Sequence, residues 1–206
     1  MPSQANIPQS DTAPVVFFDR DGTLNVEIGP IRDLSQMRLI PGAAEAVSRL
    51  NQAGVACVVV TNQSGPARGY FPEAHVVALN LRLIELLASQ GATVDGIYYC
   101  PHHEQGTVAQ YTLICQCRKP KPGLIERALG DLPRLDVTRG YVIGDQSTDI
   151  ELAQNAKLRS VLVRTGHGSA VLAGTFQWKV EPTHIADNVV AAVQWVINDL
   201  AERKSP

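Results

Sequence analysis

The chain has 206 residues, 45% of them hydrophobic and 18% charged, the balance of an ordinary globular protein with a substantial core. A formal net charge of −2 provides no broad basic field, which excludes a general nucleic-acid binder, and no apolar run reaches the length of a membrane span. The first residues lack the basic opening and apolar centre of a signal peptide, so a cytoplasmic protein is expected.

Residues 1–13 are polar and without period, and read as a loose tail; a single domain is expected over residues 14–203. Val15–Phe18 reads as a buried parallel strand that ends in Asp19 and Asp21, two acids two positions apart, followed by Gly22 for a tight turn. A strand's carboxyl end is where open α/β sheets bind ligands, so these acids are placed to meet a substrate. The segment from Asn25 to Ile40 is irregular and can close over that edge. Pro41-Gly42 opens a helix with Ala43, Ala46, Val47 and Leu50 on one face and Gly54 as its stop. Val55–Val60 is a second buried strand, with Cys57 as a small core residue, and it runs into Thr61-Asn62-Gln63-Ser64-Gly65. The hydroxyl of Thr61 and nearby backbone N–H groups can serve a phosphate; an ordinary strand-closing turn is the plainer alternative. The next helix is predicted from near Pro72 to Gln90, with Val77, Leu81, Ile84 and Ala88 as its core stripe and Gly91 as its end.

Asp95–Tyr99 reads as a third strand that leads into two ligand-x-ligand pairs, Cys100-Pro101-His102 and Cys115-Gln116-Cys117. Three thiolates and one imidazole form a closed tetrahedral set for structural zinc, with His103 as the alternative to His102. Zinc would hold the polar loop over 100–117, which is too hydrophilic to fold by itself. Arg118-Lys119-Pro120-Lys121-Pro122 comes next, and Pro122 can start a helix through Leu124, Ile125, Ala128 and Leu129 with Gly130 as its stop. A lysine just before a helix N-terminus suits phosphate. Tyr141–Gly144 is another apolar strand, ending in Asp145, and Asp149 falls one turn later on a helix opening. Asp149 is read as supporting the site from behind or complementing the helix N-terminus. Ser160–Val163 is a further strand and His167 a solvated loop residue. A final helix spans Asn188 to Ala201 with Val189, Ala192, Val193, Val196 and Ile197 inward and Trp195 as packing.

Four motifs in this order, covering the chain from Asp19 to Asp149, resemble the haloacid dehalogenase-like (HAD) phosphatases. The resemblance implies a doubly wound, Rossmann-like parallel α/β sheet with a minimal cap and a zinc-bound loop. It implies Asp19 as nucleophile, Asp21 as general acid and base, and Thr61 and Lys119 as phosphate ligands. It also implies a magnesium ion held by Asp19, Asp145 and the backbone carbonyl of Asp21. The second acid argues for phosphoryl rather than carbon–halogen chemistry. Cys100-Pro101-His102-His103 and the Cys-Arg-Lys-Pro run at 117–120 resemble the subfamily of heptose bisphosphate and histidinol-phosphate phosphatases. That subfamily resemblance implies removal of the 7-phosphate of a heptose 1,7-bisphosphate by a monomer, with histidinol phosphate or another small sugar phosphate as the alternative substrate. Asn25, Glu27, Asn62, Gln63, Ser64 and Arg118 are the implied substrate contacts. Ile28, Pro30, Glu104 and Gln146 depart from that pattern.

Overall fold

The structure is a computed structural model and describes residues 12–203, so most of the expected tail lies outside the described residues. Six strands form one parallel sheet in the order β3-β2-β1-β4-β5-β6. They are β1 (Ala13–Phe18), β2 (Ala56–Asn62), β3 (Gly96–Cys100), β4 (Leu135–Gly144), β5 (Arg159–Val163) and β6 (His184–Ala186). The helices are α1 (Ala43–Gln52), α2 (Glu73–Ala88), α3 (Gly123–Asp131), α4 (Ser147–Asn155), α5 (Gly168–Ala173) and α6 (Val189–Glu202). The expected doubly wound architecture is what the chain adopts. The strand order reverses between β1 and β4, and their carboxyl ends form the crevice where this class of sheet takes ligands.

The central strands are apolar on both faces because both faces are covered. Val16 and Phe18 pack with α1 and α6, while Val15 and Phe17 pack with α3 and α4. Burying each such side chain stabilises the fold by about 1.5–3 kcal/mol, so the strand that carries the first two acids is anchored from both sides. β1 begins earlier than the apolar run suggests, since Ala13 and Pro14 pair with Leu135 and Asp136 before a register shift.

Two helix readings need correction, and two elements are additions. On α2 the buried residues are Val76, Leu79, Asn80, Leu83 and Leu87, whereas Val77, Leu81, Ile84 and Ala88 are exposed. This segment carries two apolar stripes one residue apart, so periodicity alone does not choose between them. Asn80 decides the phase: its Oδ1 accepts a 2.9 Å hydrogen bond from the wholly buried Arg20. Gly130 lies inside the last turn of α3, which continues to Asp131. α5 and β6 fall in a stretch with no helical or alternating pattern, and they add the sixth strand.

Candidate active site

Asp19 comes directly after β1, with its backbone N–H still bonded to Ile143 of β4 at 2.9 Å. Its carboxylate is almost wholly buried. Oδ1 accepts from the N–H of Arg20 at 2.7 Å and pairs with Lys119 Nζ at 2.8 Å, so Oδ2 is the oxygen left for other work. Burial pushes the acid up to about 7, helped by the charges of Asp149 and Asp21 and opposed by Lys119.

Lys119 is the electrostatic pivot. Its ammonium also pairs with Asp149 at 2.7 Å and donates to the carbonyl of Val60 at 3.0 Å. Burial alone would lower its pKa, but Asp149 and Asp19 overcome that and raise it, so the lysine is held as a cation. Its backbone is clamped by Asn62: Oδ1 accepts from Lys119 N–H at 3.0 Å and Nδ2 donates to Lys119 O at 3.2 Å. Asn62 therefore braces the lysine backbone while it also lines the cavity beside Asp19. Asp149 does both things read from the sequence, since its Oδ2 accepts from the Gln146 N–H at the start of α4 while Oδ1 holds Lys119.

Asp21 is aimed by three side chains. Asn25 Nδ2 donates to its Oδ1 at 2.8 Å, Gln63 Nε2 donates to Oδ2 at 2.8 Å, and Arg20 donates to both oxygens. Asn25 is completely buried beneath Asp21, and Gln63 nearly so, bridging from Asp21 to the hydroxyl of Thr61 at 3.0 Å. Arg20 and Asn80 are site residues that the sequence reading misses. An arginine between two aspartates and an amide inside an apolar helix are the signals that point to them.

A cavity of about 160 Å³ is lined by Asp19, Asp21, Thr61, Lys119, Glu27 and Arg118, among others. It is suited in size to a phosphoryl group. Ser64 lines an adjoining hollow that shares Asp21, Glu27 and Asn62 with it. Arg118 reaches from the loop to donate to His102 O at 3.2 Å.

Asp145 ends β4 beside Asp19. Carboxylate oxygens of Asp19, Asp145 and Asp149 lie within 4.8 Å of one another, and Asp145 Oδ1 is buried with no hydrogen-bond partner among the described residues. Burial, then the charges of Asp19 and Asp149, raise Asp145 well above the usual carboxylate range. Three buried acids facing one lysine, with an orphaned oxygen, fit a hard cation. Asp145 Oδ2 accepts from His167 N–H at 2.7 Å, and the His167 ring stacks on Phe176, so this residue is half-buried rather than the solvated loop histidine expected. Gly22 closes the turn with φ +81°, and a Cβ there would stand 2.3 Å from Asp145 Oδ2. Gly22→Ala is expected to displace Asp145 and cut phosphate release by about a hundredfold, measured at saturating magnesium with the thermal melt as control. Activity within about threefold of the parent would contradict this geometry.

Cys100, His102, Cys115 and Cys117 converge at the other side of Arg118. Sulfur–sulfur separations of 3.2–3.5 Å are far beyond a disulfide bond, and His102 Nδ1 lies 3.3 Å from Cys117 Sγ. Four soft ligands around one point, with no open position, fit structural zinc. His103 stays outside this group, its Nδ1 accepting from Gln105 N–H and its Nε2 facing Arg68.

Residues 16–97 match the family described as haloacid dehalogenase-like hydrolase, and a second hydrolase family of the same type matches residues 116–192. A D-glycero-D-manno-heptose-1,7-bisphosphate 7-phosphatase of Thermosynechococcus vestitus is 48% identical over 194 residues, spanning 92% of this chain and 98% of that one. The chain belongs to the haloacid dehalogenase-like hydrolases. An Escherichia coli K12 protein of this family, a D-glycero-beta-D-manno-heptose-1,7-bisphosphate 7-phosphatase, is 40% identical over 93% of this chain and 92% of that one. Among solved structures of haloacid dehalogenase-like hydrolases, the D,D-heptose 1,7-bisphosphate phosphatase of B. bronchiseptica, complexed with magnesium and phosphate, superposes with a TM-score of 0.77 at 30% identity. The match covers 90% of this chain and 98% of that one. Among the described residues no helix is long and apolar enough to cross a membrane.

Proposed function

We propose that the protein is a cytoplasmic, magnesium-dependent phosphatase that removes the 7-phosphate of D-glycero-D-manno-heptose 1,7-bisphosphate, acting as a monomer and a single domain. The observation that carries this reading is the cavity at the β1–β4 switch point, where Asp19 and Asp21 line the same phosphate-sized space. The heptose specificity rests on the named relatives and on the loop that joins the zinc ligands to Arg118 and Lys119.

In this reading Asp19 Oδ2 attacks phosphorus and the bond to the sugar oxygen breaks, which divides one hard hydrolysis into two easier steps. Asp21 gives a proton to the departing alkoxide, then takes one from the water that cleaves the aspartyl phosphate. The Thr61 hydroxyl can donate to a phosphoryl oxygen, the charge of Lys119 offsets negative charge beside Asp19, and the Arg20–Asn25–Gln63 frame keeps Asp21 aimed at the leaving group. Asp19, Asp145 and the Asp21 carbonyl would hold magnesium, which when bound would offset repulsion between an anionic nucleophile and a dianionic phosphate. Zinc in the Cys100, His102, Cys115, Cys117 set is structural.

A phosphate-release panel tests the assignment. With magnesium, the heptose 1,7-bisphosphate is expected to exceed histidinol phosphate and simple sugar monophosphates by at least about a hundredfold in kcat/KM. Preference for histidinol phosphate would move the chain to the alternative substrate, and no release from any phosphomonoester would end the phosphatase reading.

A further inference from the structure

Residues 164–183 supply none of the reacting groups above, yet they form a strap beside the site. The His167 ring stacks on Phe176 at 4.0 Å and 7°, which turns the chain back over the start of α4. Gln177 then adopts φ +54°, one of two non-glycine residues in that region among those described. Such a backbone persists only when its surroundings hold it. Gln177 Oε1 accepts from Ser147 N–H at 2.8 Å and Nε2 donates to Gln146 Oε1 at 3.0 Å. Ser147 Oγ donates to the carbonyl of Trp178, and Trp178 Nε1 donates to Glu151.

These bonds fix the edge of the indole while 46% of the residue stays exposed. Leu113 and Ile114 of the zinc loop, 41% and 75% exposed, line the same space as Trp178. That space is a cavity of about 430 Å³, lined also by Arg118, Lys119, Thr148 and Gln177. The same four residues line the phosphate-sized cavity, so the two spaces adjoin. Large apolar side chains and cations that line one cavity suit a ligand that has an apolar face and polar edges. A phosphorylated sugar ring has both: C–H faces for the indole, hydroxyls and a second anion for Gln177 and Arg118.

We propose that Trp178 is a specificity-determining residue whose indole face packs against the sugar ring while the phosphoryl group sits at Asp19. This deepens the function proposed above and rests on it. The test compares wild type, Trp178→Ala and Trp178→Phe on the heptose 1,7-bisphosphate and on acetyl phosphate, which has no ring. Trp178→Ala is expected to lower the ratio of the two kcat/KM values by about tenfold or more, through KM for the sugar, and Trp178→Phe to restore most of it. Equal losses on both substrates would mean that Trp178 only props α4, and no change would leave it outside the site; either overturns the proposal. A second readout uses Asp19→Asn with magnesium. The bisphosphate should quench tryptophan emission there, and a quench that survives Trp178→Phe counts against the platform. If wild type releases no phosphate from the heptose bisphosphate, the proposed substrate falls. The platform is then judged, by the same ratio, on whichever ring-bearing panel member is turned over.

Discussion

Asp19→Asn is expected to reduce phosphate release by at least about a thousandfold, the scale on which removing an attacking group acts. The amide keeps the volume of the carboxylate but cannot form the acyl phosphate. The fold should survive, because the buried acid is held against its own preference: its pKa is raised to about 7, first by burial. Between the ordinary value of 3.8 and about 7 the folded chain binds a proton at Asp19 that the unfolded chain has released. Stability of the metal-free protein therefore falls as pH rises through that window, and Asp19→Asn should remove this contribution to the slope. Thermal melts in chelator at several pH values across the window check the sign. Parallel slopes for parent and variant would contradict the burial argument, and turnover near the parent rate would remove Asp19 from its role.

Cys115→Ser is expected to lose most of the zinc and to raise KM for the heptose bisphosphate about tenfold or more, with a smaller change in kcat. The split arises from how the two basic residues after the loop are held. Lys119 is fixed independently of zinc, by the Asn62 clamp, the Val60 carbonyl and Asp149. Arg118 instead donates to His102 O, on the loop itself. Loosening the cluster should therefore free Arg118, along with Leu113 and Ile114, while Lys119 keeps its place beside the nucleophile. Metal analysis with steady-state kinetics reads both effects. Unaltered zinc stoichiometry would remove Cys115 from the ligand set, and a fall in kcat alone would show that the loop acts on chemistry.

The parts of the fold legible in the sequence are those where one strong physical signal acts alone. Val15–Phe18 and Tyr141–Ile143 read as buried strands because only a sheet covered on both faces makes such unbroken apolar runs. The acids that end them belong to the same pattern. The rotation of α2 is not legible, because a distant hydrogen bond from Arg20 to Asn80 chooses between two equal stripes. For Asn25, Asn62 and Gln63 the sequence indicates the right region, and what it does not indicate is that they also brace Asp21 and Lys119. Polar side chains at a strand end look alike whether they face a ligand or brace a neighbour, and their partners here lie up to 57 residues away. The strap at 164–183 carries no period, so neither α5 nor the place of Trp178 has a local signature.

The placing of Asp19 and Asp21 on one cavity also has a stereochemical consequence. Asp21 is the acid placed on the leaving-group side, so under the proposed chemistry water must enter along the path by which the alkoxide leaves. Each displacement inverts the configuration at phosphorus, and two in succession return it. A thiophosphate ester made chiral with two oxygen isotopes, hydrolysed in water that carries the third, would give inorganic thiophosphate of retained configuration.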